Sequence, residues 1–231
     1  ILGRSLNVPV WQLLGGKQRD QLRVYANGWY QGPREPQFFA EEAAKLVARG
    51  YTAMKFDPFG GAHRQIDRQS ERLSIEIVRA GRKAVGDDVD LCIEAHDRFT
   101  VSHAIRIGRA LEEFSPMWLE TPVHSSDVAA TVEVAKAIDV PVAVGGRYKR
   151  MGPFVDLLAT KVVDIIQPEV LSLGVSNLKR VCGIAEASEA LVACHQAQSP
   201  LCTVVNAHMH ASVSNFLIQE NFDDSLEPWT W

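Results

Sequence analysis

Short apolar runs rich in β-branched residues recur about every twenty-five residues along the chain, separated by longer segments of helical period. The runs are RVYAN (23–27), TAMKF (52–56), DLCIEA (90–95), MWLE (117–120), PVAVG (141–145), VDIIQP (163–168), LVACH (191–195) and FLIQE (216–220). In the intervening SERLSIEIVRAGRKAVG, Leu73, Ile77, Ala80, Ala84 and Val85 repeat at helical spacing. SHAIRIGRALEEF, SDVAATVEVAKAI and VSNLKRVCGIAEASEA read the same way. Strands alternating with helices imply a parallel sheet, and eight is the number that closes a barrel. The expected fold class is therefore α/β, a (β/α)8-type barrel. The 231 residues, 46% of them hydrophobic, suffice for one such core, and no Gly- or Pro-rich linker divides the series. A doubly wound open sheet is the alternative, but no GxGxxG follows the first strand.

The strand ends carry the chemistry. Glu94, Glu120, Glu169, His195 and Glu220 each close an apolar run, at intervals of 26, 49, 26 and 25 residues. Halving the interval of 49 places a further strand end near residue 145, where PVAVGG ends. A barrel builds its active site from such ends on one face, so a functional side chain is expected at about Gly146, where the sequence supplies none.

Glu94 and Glu120 end neighbouring strands, so their carboxylates could converge on one cation; for either acid alone, a solvated place on the rim is the alternative. Magnesium suits such a pair because it favours oxygen ligands and keeps places for water and substrate. His195 and Glu169 also end neighbouring strands, and a carboxylate beside an imidazole fixes its tautomer and raises its basicity, as a general base requires. Lys55, ending strand two, would be costly in a barrel mouth without an anion to meet, either a substrate carboxylate or the metal-bound acids. Asp57, two residues on, shares its face and could pair with it. His96, two residues after Glu94, could be a general acid or a residue behind one. His208 and His210 fall in a helical stretch and read as structural, while His63, His103 and His124 lie outside the strand-end pattern.

Charge and composition exclude other classes. Acids and bases are interspersed, with 28 Asp+Glu against 24 Lys+Arg and a net charge of −4, so no basic face points to nucleic acid. No apolar run approaches the roughly 18 residues that a membrane helix needs. The four cysteines form no CxxC pair, which fits buried, reduced thiols and a cytoplasmic location.

Taken in order, VPVWQLLGGK, KFDPFG, IEAHDRF, WLETP, VGGRY, DIIQPEV and NFLIQE resemble motifs of the enolase superfamily. The resemblance is to the mandelate racemase/muconate lactonizing enzyme branch, and within it to the acid-sugar dehydratases of galactonate and mannonate type. It implies a modified (β/α)7β barrel, an Mg2+ cofactor, a small acid-sugar substrate and a homo-oligomer. Metal ligands are implied at Glu94 and Glu120, with a third acid normally at the place of Gly146. It further implies a His195–Glu169 dyad, a strand-two Lys55 and a general acid or electrophile at Glu220. His96 matches a histidine that serves as the dehydrating acid in some relatives, and Asp57 is assigned to substrate binding. The implied reaction removes the proton α to a carboxylate, with the developing dianion held by a divalent cation, and expels the β-hydroxyl to give a 2-keto-3-deoxy sugar acid. Asp57 in place of a second strand-two lysine argues against a racemase.

Several residues depart from that pattern. Gly146 replaces the third ligand, Glu169 stands where the family carries Asp, Thr121 interrupts Glu-Glu-Pro, and CHQAQSPL is a poor copy of a Pro-His-Asn segment. The expected division is a lead-in from a capping domain at 1–22, the barrel at 23–220 and a truncated tail at 221–231. With two carboxylates in place of three, the expectation is weak or absent Mg2+ binding and little or no dehydration. The rival expectation is a non-catalytic relative that binds acid sugars or serves as an oligomer subunit.

Overall fold

The computed structural model describes residues 1–197 and 199–222. The expected tail therefore falls largely outside the described residues. In chain order the elements begin with helices α1 (Leu2–Leu6) and α2 (Val10–Leu13), strand β1 (Val24–Asn27), α3 (Pro36–Ala48), β2 (Ala53–Phe56), α4 (Arg68–Val85) and β3 (Asp90–Glu94). They continue with α5 (Val101–Leu111), β4 (Trp118–Glu120), α6 (Val128–Ala137), β5 (Val142–Val144), α7 (Gly152–Leu158) and β6 (Ile165–Ile166). Last come α8 (Val170–Ala187), β7 (Leu191–Val192), α9 (Pro200–Ala211) and β8 (Gln219–Phe222). The strands form one eight-stranded sheet in the order β7-β6-β5-β4-β3-β2-β1-β8. Sequential parallel strands joined by helices are the α/β, (β/α)8-type class that the apolar period predicts.

The chain groups into two compact units, one of residues 24–143 with those from 221 on, the other of residues 1–23 with 144–220. In the first, β2 is buried along its whole length, as expected of a parallel strand covered on both faces. Its register sets Lys55 opposite Cys92, and the β3–β4 register sets Glu94 opposite Glu120. Helix α4 starts where the Asp67 side chain accepts the amides of Gln69 and Ser70, and it stops at Gly86, whose φ of 75° closes the last turn. Its Ser74, Ile77, Val78 and Gly81 form the buried face. Beneath the strand ends, Tyr25 and Trp118 meet edge to face with ring centroids 5.5 Å apart.

In the second unit β6 and β7 are only two residues each, paired Ile165 to Leu191 and Ile166 to Val192. Glu169 and His195 form a separate parallel bridge beyond them. The run FLIQE is only partly strand. Phe216 makes an isolated bridge to Val192, and β8 begins three residues later, where the Gln219 amide donates to the Arg23 carbonyl at 2.9 Å. Arg19 explains the delay, because its guanidinium donates to the carbonyls of His210, Val213 and Ser214 and holds that stretch as a turn. All four cysteines are free and buried. Among the described residues no helix is long and apolar enough to cross a membrane.

His210, on α9, is fully buried and joins two strands. Its Nε2 accepts the Cys194 amide at 3.2 Å and its Nδ1 lies 3.0 Å from Gln219 Oε1, to which it donates. Burial is the main cause that lowers its pKa to about 4, against an ordinary value of 6.5. The imidazole is thus neutral when folded, and its contribution is complete above about pH 6.5. As pH falls from there toward 4 the unfolded chain takes up a proton that the folded chain refuses, so roughly 3 kcal/mol of stability is lost. Denaturant melts at pH 7 and pH 4 should differ by less, to that extent, in His210→Gln than in the native chain.

Candidate active site

Within the unit of residues 24–143, three charged side chains meet at the ends of β2, β3 and β4. Glu94 shares a face with Cys92, the register partner of Lys55, so the lysine and both acids project to one side. Lys55 Nζ lies 2.8 Å from Glu120 Oε1 and 3.4 Å from Glu94 Oε2, and its side chain is 2% exposed. The other carboxylate oxygens are also served: Trp118 Nε1 donates to Glu120 Oε2 at 3.0 Å, and the His96 amide donates to Glu94 Oε1 at 2.8 Å. The ammonium also lies 5.6 Å from the centroid of the Tyr25 ring. Burial, then the neighbouring charge of Glu120, push the Glu94 carboxyl well above the usual carboxylate range, against the pull of Lys55.

A second cluster in the same unit joins the loops after β2 and β3. Asp57 Oδ2 lies 2.6 Å from His96 Nδ1 and also accepts from Arg98, while Asp57 Oδ1 accepts the Phe59 amide at 2.9 Å. His96 and Asp97 both take left-handed backbone conformations, φ 50° and 64°. Such a pair of non-glycine residues is strained, and the Ser125 amide and hydroxyl bonded to the Asp97 carboxylate hold it in place. The turn leaves the His96 side chain 40% exposed above a nearly buried Asp57. Burial, then the charge of Asp57, raise the pKa of the Tyr30 phenol, which stays a neutral donor.

The unit of residues 1–23 and 144–220 holds the histidine–acid dyad. His195 Nδ1 lies 3.3 Å from Glu169 Oε1. The other oxygen of Glu169 accepts from the Ser172 hydroxyl and from Lys149 Nζ at 3.4 Å, and Lys149 also donates to Ser172 at 2.9 Å. Glu169 immediately precedes α8, which brings Ser172 back over it within the first turn. Glu220 is fully buried and accepts the Gln196 amide at 2.6 Å.

Both glycines of VGG have a packing reason. Gly145 has φ 138°, and a Cβ there would approach the Gln167 backbone to 3.0 Å. Gly146 faces the histidine: a Cβ would stand 2.8 Å from Cγ, 2.9 Å from Cδ2 and 3.1 Å from Cβ of His195. The imidazole fills the space that a side chain at 146 would need.

One expected contact is replaced. Asp57 shares a face with Lys55 in sequence, but it lies beyond the end of β2 and pairs with His96 and Arg98, while Lys55 turns to Glu94 and Glu120. Sequence reasoning also missed Trp118, Arg98, Ser172, Lys149 and Gln196. Two of these carried a signal, since Trp118 sits two residues before Glu120 on the same strand face and Ser172 one helical turn after Glu169.

The residues present do not fit a magnesium site of three carboxylates. There are two acids, each of their four oxygens already holds a protein donor, and one of those donors is itself a cation touching both. A second cation there would meet the first at close range. Among the described residues no group of three or more His, Cys, Asp or Glu is arranged to hold a metal ion.

Parallel strands in chain order, joined by helices, define the α/β-barrel class of fold. The chain belongs to the enolase C-terminal domain-like family, whose model matches residues 39–231. It is 36% identical over 230 residues to the D-gluconate/D-galactonate dehydratase of Picrophilus torridus, covering 99% of this chain and 59% of that protein. It is 38% identical over 227 residues to the D-gluconate dehydratase of Thermoproteus tenax, covering 98% of this chain and 46% of that one. Among solved structures, a mandelate racemase/muconate lactonizing enzyme-like protein from a Roseovarius species superposes with a TM-score of 0.90 at 36% identity, covering 98% of this chain and 61% of that one. A member of the enolase superfamily from Salmonella Typhimurium gives 0.91 at 29% identity, covering 98% and 63%. The chain thus spans between 46% and 59% of the length of these two curated relatives.

Two substitutions test the packing. Gly146→Ala should cost roughly 1–3 kcal/mol in chemical denaturation, because the new methyl must displace the ring base of His195. Removing the ammonium in Lys55→Met should cost roughly 3–5 kcal/mol, since two buried acids lose their common partner.

Proposed function

We propose that this chain is the barrel part of an acid-sugar dehydratase-like lyase acting on a small aldonic acid. The observation that carries the reading is the 36% identity over 99% of the chain to a D-gluconate/D-galactonate dehydratase, together with the His195–Glu169 pair. In this reading His195 is the base. Glu169 beside Nδ1 leaves Nε2 to take the proton α to the substrate carboxylate, and Ser172 and Lys149 hold Glu169 in place. The family resemblance gives the acid's part to His96, whose Nδ1 is bonded to Asp57; in that part its Nε2 gives a proton to the departing β-hydroxyl, which leaves as water. The electron pair from the broken C–H bond forms the double bond, the C–O bond breaks, and the enol tautomerises to the 2-keto-3-deoxy acid. Asp57 acts through His96, a place more specific than substrate contact alone. Glu220, buried against the Gln196 amide, fixes the backbone next to His195.

No step is assigned to Mg2+, because the two-acid donor set is already matched by Lys55. Turnover is accordingly expected to be slow, the developing dianion being stabilised by fewer charges. A panel of aldonic and aldaric acids that includes D-gluconate, D-galactonate and D-xylonate should yield 2-keto acid with at least one member. His195→Asn should lower that rate by roughly 10²–10⁴-fold while the fold is kept. Product at the His195→Asn background for every acid would retire the dehydratase reading in favour of an acid-sugar binder.

A further inference from the structure

In the unit of residues 24–143 every strand-end carboxylate oxygen is already engaged, and the group common to both acids is a fixed positive charge. Lys55 reaches Glu120 at 2.8 Å and Glu94 at 3.4 Å. It is more deeply buried than any group of its length would be without partners, with 2% of its side chain exposed. Three features build this position. The register of β2, β3 and β4 aims the three side chains to one side. The Trp118 indole and the His96 amide hold the outer oxygens, so the inner oxygens face the ammonium. The Tyr25 ring lies on its flank.

We propose that Lys55 is the resident cation of the Glu94–Glu120 pair, an internal ammonium in place of a divalent metal ion. The site then takes no Mg2+ at physiological concentration, and the charge balance of the two acids is fixed by the chain itself. This inference rests on the geometry of one unit and not on the dehydratase reading. Its test reads binding and stability, so its failure and the failure of the product screen are separate results.

The experiment compares the thermal midpoint of the native chain in millimolar EDTA and in millimolar MgCl2, with calorimetric titration of MgCl2 alongside. The native midpoint should move by less than about 1 °C and the titration should show no saturable heat, because nothing binds the folded state preferentially. Lys55→Met should melt lower in EDTA and recover part of the loss in MgCl2, the divalent ion taking the vacated place. A native midpoint that rises with MgCl2 and falls with EDTA overturns the proposal. So does a folded Lys55→Met whose melting ignores MgCl2, since the acids would then not form a cation site. If Lys55→Met fails to fold, the native comparison alone decides.

Discussion

One buried ammonium between two buried acids is the interaction on which the strand-end cluster depends. Lys55, Glu94 and Glu120 all sit below 7% side-chain exposure at the ends of three adjacent strands. Burying any one of them alone would cost several kcal/mol, and each is tolerable because the others are there. The strands supply the geometry, since a parallel register fixes which side chains stand level and the pleat fixes which point the same way. The Trp118 indole and the His96 amide complete the shell, so the cluster is a closed set of charges and donors. With all four oxygens engaged, a further cation could reach the acids only by displacing Lys55 or another of their donors.

In the unit of residues 1–23 and 144–220, packing also explains the glycine at 146. A side chain there would collide with the His195 ring, so the glycine gives the histidine its seat. His195 then lies within reach of Glu169, whose extra methylene, relative to the aspartate of the family pattern, is steadied by Ser172 and Lys149.

All eight strands and the alternation with helices were legible because a parallel sheet buries both faces, which writes continuous apolar runs into the sequence. Strand limits were less legible. FLIQE reads as strand throughout, yet Arg19, nearly two hundred positions away in the chain, draws the carbonyls just before it into a turn. The places of Glu94, Glu120, Glu169 and His195 at or just beyond strand ends could be found by period alone. Their partners could not, because the choice between Asp57 and the two glutamates for Lys55 depends on where β2 ends and how far each side chain reaches. Why Gly146 is glycine was likewise invisible, since the reason lies in a ring 49 residues further along.

The most direct measurement is the anomalous difference map of a crystal of the native chain soaked in Mn2+, a divalent ion of similar ligand preference that can be located unambiguously. The account predicts no peak between Glu94 and Glu120, with the Lys55 ammonium within hydrogen-bond distance of both. A strong peak bonded to both carboxylates, with Lys55 swung away from them, would contradict it.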